Sequence, residues 1–366
     1  MTEYTPEYTP EDPTEHIPER SDGHPLQKIT SLGGGHGLFA TLRAAREAAD
    51  YVSAVVTVAD DGGSSGRMRR ELGSLPPGDL RMALAALVRD SPRGHLWETT
   101  LQHRFSGHGA LAGHAVGNLV LTGLTEVMGS SIAALDELGR LLGVQGRVLP
   151  MSPEPLDLEA EVQGLGDDPR EVNAVRGQVA VASTLGQVRR VRLIPQNPEA
   201  SPEAVEAILD ADMVTLGPGS WFSSVIPHLL MPGIVEALQE TTATRVVIMN
   251  LVAEPGETSG FSMERHIHML LQHCPSLRMD VVVVDTSTLL PGNERRHLER
   301  AAERLGAEVV YRNVRQDDDR GRWTDRHSSE KLADVLRELA TWEAVGSTGS
   351  TSGLEEGSGS HSGTDS

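Results

Sequence analysis

Two carboxylates, Asp60 and Asp61, stand at the end of an apolar run, Val55-Val56-Thr57-Val58-Ala59, and lead directly into Gly62-Gly63-Ser64-Ser65-Gly66-Arg67. Carboxylates at a strand end can hold a divalent cation or hydrogen-bond a ribose or base, and Arg67, Arg69, Arg70 and Arg81 are candidates for phosphate contacts. The plainer alternative is an Asp-Gly turn followed by a solvated basic helix. Upstream, Gly33-Gly34-Gly35-His36-Gly37 lies between a short apolar run and an amphipathic stretch. Glycines admit positive φ and let backbone N–H groups approach a phosphate at a helix N-terminus. The string is not the dinucleotide fingerprint, because with Gly33 and Gly35 as its first two glycines the third falls on Leu38. Alone it is equally a tight turn that binds nothing.

The same logic recurs in the second half of the chain. Gly217-Pro218-Gly219-Ser220 follows an apolar run at 213–216, and Asn250-Leu251-Val252-Ala253-Glu254 leaves the next one. Four Gly-rich or polar loops opening on one sheet edge read as a single site for a phosphorylated ligand. His114 and Asn118 begin a helix and either face that ligand or cap the helix. Fourteen histidines show no HExxH spacing. No P-loop lysine follows the glycines, and no GxSxG elbow surrounds Ser64, Ser65 or Ser220.

These loops need strands and helices to hold them, and the hydrophobic periods supply both. Strands are predicted at 28–32, 51–58, 213–216, 245–251, 279–285 and 308–311. Helices are predicted at 39–49, 80–88 (with Asp79 as N-cap), 96–103, 115–127, 131–142, 202–210, 234–239, 263–273, 294–305 and 329–342. Between 144 and 194 the texture changes to short alternating runs at 146–149, 158–162, 178–182 and 188–194, which suggests a small β-rich insertion. Strands alternating with helices call for a doubly wound, mostly parallel sheet.

Composition bounds the rest. The chain has 366 residues and a formal net charge of −20. Residues 1–27 and 344–366 contribute −6 and −3 of it, lack any apolar period and read as disordered tails, leaving 28–343 as the folded domain. This acidity argues against nucleic-acid and membrane-surface partners. One cysteine, Cys274, excludes an internal disulfide and fits a reducing compartment. No apolar run reaches the length of a membrane helix and the first residues lack a signal-peptide core, so a cytoplasmic location without membrane insertion is expected.

Taken together, the strings GGGHGL (33–38), TVADDGGSSGRMRRELG (57–73), PPGDLRMALAAL (76–87), GHAVGNLVLTGLTE (113–126), GRVLP (146–150), LGPGSWFSSVIPHLL (216–230) and NLVAEPGETSGFS (250–262) resemble the YvcK family, or gluconeogenesis factors, of the CofD-like superfamily. The resemblance spans about 28–275; the later part matches mainly through Arg326-His327 ahead of a helix. His36 departs from the threonine of many members, Trp221-Phe222 from a Leu-Tyr pair and His228 from asparagine. Residues 290–325 diverge. The resemblance implies a Rossmann-like three-layer α/β sandwich that binds UDP-sugars, notably UDP-N-acetylglucosamine. It also implies a need for the protein in cell shape and wall synthesis, especially during gluconeogenic growth.

On that reading Gly33, Gly34, Gly35, His36, Gly37, Gly217, Pro218, Gly219 and Ser220 cradle the diphosphate. Asp60 and Asp61 contact ribose or a magnesium ion brought by the nucleotide, and no other cofactor is implied. Ser64, Ser65, Arg67 and Asn118 complete the pocket, and Asn250 and Arg326 close on sugar or base. The rival is a CofD-like transferase moving a phospho-acyl group from a nucleotide-activated donor. Without a recognisable nucleophile–base pair, and with only twelve Phe, Trp and Tyr to receive a deazaflavin, the residues lean away from an enzyme. A homodimer, a wall-synthesis protein and a Ser/Thr kinase acting on the Ser/Thr-rich tails are the partners this reading leaves open.

Overall fold

The computed structural model describes residues 26–341, apart from 167, 169, 255, 289 and 290. In chain order the strands are β1 (Leu26–Gly33), β2 (Ala49–Val56), β3 (Gly146–Pro150), β4 (Asp157–Gln163), β5 (Val172–Arg176) and β6 (Gln187–Ile194). They continue with β7 (Met213–Leu216), β8 (Thr244–Ile248), β9 (Val281–Asp285), β10 (Glu308–Arg312), β11 (Arg315–Asp317) and β12 (Trp323–His327). The helices of the first half are α1 (Gly35–Ala48), α2 (Gly63–Leu72), α3 (Pro77–Leu87), α4 (Pro92–Gln102), α5 (Val116–Met128), α6 (Ser131–Leu142) and α7 (Gln178–Ala182). Then come α8 (Pro202–Leu209), a π-helical stretch Trp221–Val225 running into α9 (Ile226–Leu229), α10 (Pro232–Glu240), α11 (Met263–His273), α12 (Gly292–Leu305) and α13 (Ser329–Leu339).

Seven strands form one parallel sheet in the order β10-β9-β8-β7-β1-β2-β3. Every residue of β7 and β9 is buried, as a sheet covered on both faces requires. The expected doubly wound α/β sandwich is therefore present. α1 packs against α3 and α13, α8 against α10, and α11 against α12. The core joins the sheet valines and leucines to the apolar stripes of these helices.

Four expectations shift. β4, β5 and β6 make a separate antiparallel sheet, order β5-β4-β6, so the insertion is real, but β3 does not belong to it. Gly146–Pro150 pairs with β2 as the edge strand of the main sheet. The run at 178–182 is a single helical turn, α7: Gln178 followed by four alternating Val and Ala is too short to fix a period. Leu26 and Gln27, grouped with the tail, begin β1, with Leu26 buried; the tails beyond lie outside the described residues. The β11–β12 hairpin falls where no strand is expected. Among the described residues no single helix is long and apolar enough to cross a membrane.

The winding reverses between β1 and β7, which are neighbours yet lie far apart in sequence. Their registers, Leu32 opposite Leu216 and Gly33 opposite Val56, bring the loops after β1, β2 and β7 to one edge. There the loops after β1 and β7 touch through bare backbone. A Cβ on Gly37 would lie 2.2 Å from the Pro218 carbonyl oxygen and 2.7 Å from Gly219 Cα. Gly37→Ala is thus expected to lower unfolding free energy by about 1–3 kcal/mol in denaturant titrations. Gly123→Ala on α5, where the added methyl meets nothing within 4 Å, should stabilise by roughly 0.5–1 kcal/mol. Equal effects at the two positions would show that the loop contact does not constrain the fold.

Candidate functional site

A cleft of about 350 Å³ opens at this reversal, the place where open α/β sheets take ligands. Gly34, Gly35, His36 and Gly37 form one wall and Gly219, Ser220, Ser223 and Ser224 another. Asp60 enters from the β2 loop, Asp79 from α3, Glu254 from the β8 loop, and Gln178, Val179 and Ala182 from α7. A second depression, about 330 Å³, lies on the insertion among Glu159, Glu161, Arg190 and Arg192 and holds no glycine loop.

The α1 N-terminus is the donor-rich part of the cleft. The first N–H groups of a helix have no partner within it. Here Asp79 accepts from Gly35 N–H, and Leu38 N–H bonds to the Gly34 carbonyl. The N–H groups of His36 and Gly37 remain directed at the start of the helix, where the macrodipole favours an anion. Gly34 permits the geometry: a Cβ there would lie 2.6 Å from Thr57 Cγ2 and 2.7 Å from Asp79 Oδ2.

The β7 loop is already satisfied. Asn250 Oδ1 accepts from Gly219 N–H at 2.9 Å and its Nδ2 donates to the Gly219 carbonyl at 2.9 Å. Gly217 N–H donates to Leu32, and Pro218 follows through a cis peptide bond. The N-terminus of the 221–229 helix is filled by buried Glu257, which accepts from Phe222 N–H at 2.8 Å and the Ser223 hydroxyl at 2.6 Å. A carboxylate of the chain thus sits where this loop was expected to take phosphate. Asn250 orients the loop rather than facing the cleft.

The paired acids divide. Asp60 lines the cleft and accepts from Gly62 N–H at 2.9 Å. Asp61 turns outward, and its Oδ1 accepts from Val179 N–H at 3.0 Å, tying α7 to the β2 loop. Ser65 packs where Gly78 leaves room beside Asp60. Ser64 faces away, its Oγ 2.9 Å from His114 Nδ1 and accepting from Asn118 Nδ2 at 3.0 Å, a buried clamp between α2 and α5. Arg67 donates to the Ala112 carbonyl. Arg69 pairs with Asp157, Arg70 reaches the Asp61 carbonyl, and Arg81 holds Gln102 and the Leu101 carbonyl. None of these arginines lines the cleft. Gly33 belongs to β1 and Arg326 is exposed on β12, so neither lines it either; His327 beside Arg326 reaches the Met249 carbonyl. Among the described residues no three His, Cys, Asp or Glu side chains come together as a metal site.

Sequence reasoning missed several contributors, Asp79, Glu254, Gln178 and Ser224 among them. Asp79 is not the N-cap: Pro77 opens α3, which puts Asp79 in the first turn. Half-buried in the cleft, it is pushed up to about 7, first by burial and then by the Asp60 charge. Glu254 is likewise pushed up to about 7, by burial and by Glu257, although the Ser220 hydroxyl donates to it. Gln178 comes from the insertion, and Ser224 from the helix after the glycine loop. A Pro-Pro-Gly-Asp string signals Asp79 in the sequence and Glu254 closes the polar loop after β8; nothing local signals Gln178 or Ser224.

An α/β protein with a donor-lined cleft at its switch point is the class this geometry defines. The family model of 2-phospho-L-lactate transferase CofD matches residues 29–318. A Mycobacterium tuberculosis relative is 59% identical over 308 residues, covering 84% of this chain and 89% of its own. The protein named gluconeogenesis factor in Halalkalibacterium halodurans is 34% identical over 324 residues, covering 85% and 96%. A crystal structure of a UPF0052 family member from Bacillus halodurans superposes with a TM-score of 0.73 at 33% identity, covering 85% of this chain and 98% of that one. The chain belongs to the CofD family, in its gluconeogenesis-factor branch.

The raised carboxyl of Asp79 fixes a pH dependence. A carboxyl whose folded pKa exceeds its unfolded value contributes stability below the ordinary carboxylate range and loses it as pH rises toward 7. Asp79→Asn keeps the acceptor for Gly35 but cannot ionise. Its stability relative to wild type should increase by about 1–2 kcal/mol between pH 5 and 8, the half-open cleft attenuating the full linkage. A difference that stays constant in paired melts would place Asp79 as an ordinary ionised acid.

Proposed function

We propose that this protein binds a nucleotide sugar of the UDP-N-acetylglucosamine type and acts as a regulator linking precursor supply to cell shape and wall synthesis, especially during gluconeogenic growth. The observation that carries the binding part is the α1 N-terminus: the N–H groups of His36 and Gly37 face a cleft at the switch point between two glycine loops. Family resemblance supplies the choice of UDP-sugar, and the names of the relatives support the metabolic setting. Asp60 is the carboxylate placed to meet a ribose or to share a magnesium ion with the diphosphate. Magnesium bound to nucleotides commonly takes one or two carboxylates and keeps phosphate oxygens and waters for the rest, so the single acid suits it. Such an ion would neutralise the phosphates at the α1 N-terminus.

A transferase is the second reading. The family model is named for one, and Asp79 and Glu254, both near 7, have the proton affinity of groups that exchange protons at neutral pH. One experiment divides the two. Calorimetric titration with UDP-N-acetylglucosamine should give saturable binding, weakened in Asp60→Ala. Chromatography after hours of incubation, with and without magnesium, should return the sugar nucleotide intact. Release of UDP or UMP that scales with protein and disappears in the Asp60→Asn, Asp79→Asn double variant would make the protein an enzyme.

A further inference from the structure

Beyond the phosphate-directed end, the cleft holds two oxygen acceptors that lack donors. Glu254 Oε2 and Gln178 Oε1 are shut off from water and hydrogen-bonded to nothing among the described residues, although both side chains line the cleft. Buried polar atoms are almost always paired in native folds. Two orphans on one cavity therefore mark where a bound molecule brings the donors. They come from separate elements, each fixed by the chain. Gln178 is the first residue of α7, which Asp61 anchors through Val179 N–H. Glu254 lies after β8, where the Ser220 hydroxyl donates to its carboxyl.

The chemistry of these atoms selects the partner. Phosphate oxygens at neutral pH offer no donors to a carboxyl or carboxamide oxygen, whereas hydroxyls and amide N–H groups do. The cleft thus offers backbone donors at the α1 N-terminus and unpaired side-chain acceptors at α7 and the β8 loop. We propose that Glu254 and Gln178 form the subsite that receives the hydroxyl and amide N–H groups of the ligand's sugar, while the α1 N-terminus takes its phosphates. This inference rests on the nucleotide-sugar reading.

The test titrates the full chain in parallel with UDP-N-acetylglucosamine and with UDP. Glu254→Ala and Gln178→Ala should each weaken the sugar nucleotide roughly tenfold, the loss of about one good hydrogen bond, and leave UDP within about twofold. Glu254→Gln keeps an acceptor oxygen and should retain affinity within about threefold. Thermal melts confirm that each variant is folded. An equal loss for both ligands, or no loss for either, overturns the subsite while the nucleotide-sugar reading stands. Wild-type protein that binds neither ligand removes that reading and the subsite with it.

Discussion

The closeness of two backbones, Gly37 at the start of α1 and Pro218–Gly219 after β7, is the constraint on which the site depends. Parallel strands that meet at a winding reversal send their following helices to opposite faces, so their loops diverge unless something holds them together. Here the absence of a side chain at Gly37 lets the loops meet in direct contact. Asn250 then clamps Gly219 from the next strand, and Glu257 caps the helix that follows. Each of these bonds serves the position of the β7 loop. The result is one helix start left open to a ligand, α1, beside a second that the chain has closed with its own carboxylate.

That arrangement resolves an apparent conflict between an acidic chain and an anionic ligand. Four carboxyls, Asp60, Asp79, Glu254 and Glu257, lie in or behind the cleft. Were all ionised, they would oppose a diphosphate more strongly than two backbone N–H groups attract it. Burial changes the balance by raising Asp79, Glu254 and Glu257. With Asp79 and Glu254 near 7, the cleft at neutral pH carries less charge than its composition suggests, and Asp60 is the acid best placed to work with a cation. The arginines that looked suited to phosphate cannot compensate, because their guanidinium groups already hold carbonyls and acids elsewhere.

The sheet was legible because long apolar runs and helical periods are repeated statements of the same pattern. Met263–His273 and Ser131–Leu142 match their expected bounds, and the glycine loops fall at the β1, β2 and β7 ends where the periods break. Two short elements were not legible: α7 has five residues and β11 has three, and neither repeats its period. At the site, sequence reasoning found loops but not directions. Asp60 and Asp61 are adjacent and chemically identical, yet one faces the cleft and the other the insertion. Gln178 becomes a neighbour of the cleft only through tertiary packing, which no local pattern encodes.

Asp61 shows why that division matters to how the site is assembled. Its bond to Val179 N–H fastens the antiparallel insertion to the very segment that presents Asp60. The contact of α7 with the β8 loop, where a Cβ on Gly256 would lie 2.1 Å from the Ala182 carbonyl oxygen, fastens the same helix at its other end. α7 is therefore met from both sides of the sheet reversal, by the Asp61 side chain near its start and by the Gly256 backbone at its end. Five residues have too little helical strength to set their own position. The insertion is consequently not an ornament on the fold: the parallel sheet supplies the donors of the cleft, and the small antiparallel sheet, through α7, supplies the wall that gives it a second chemistry.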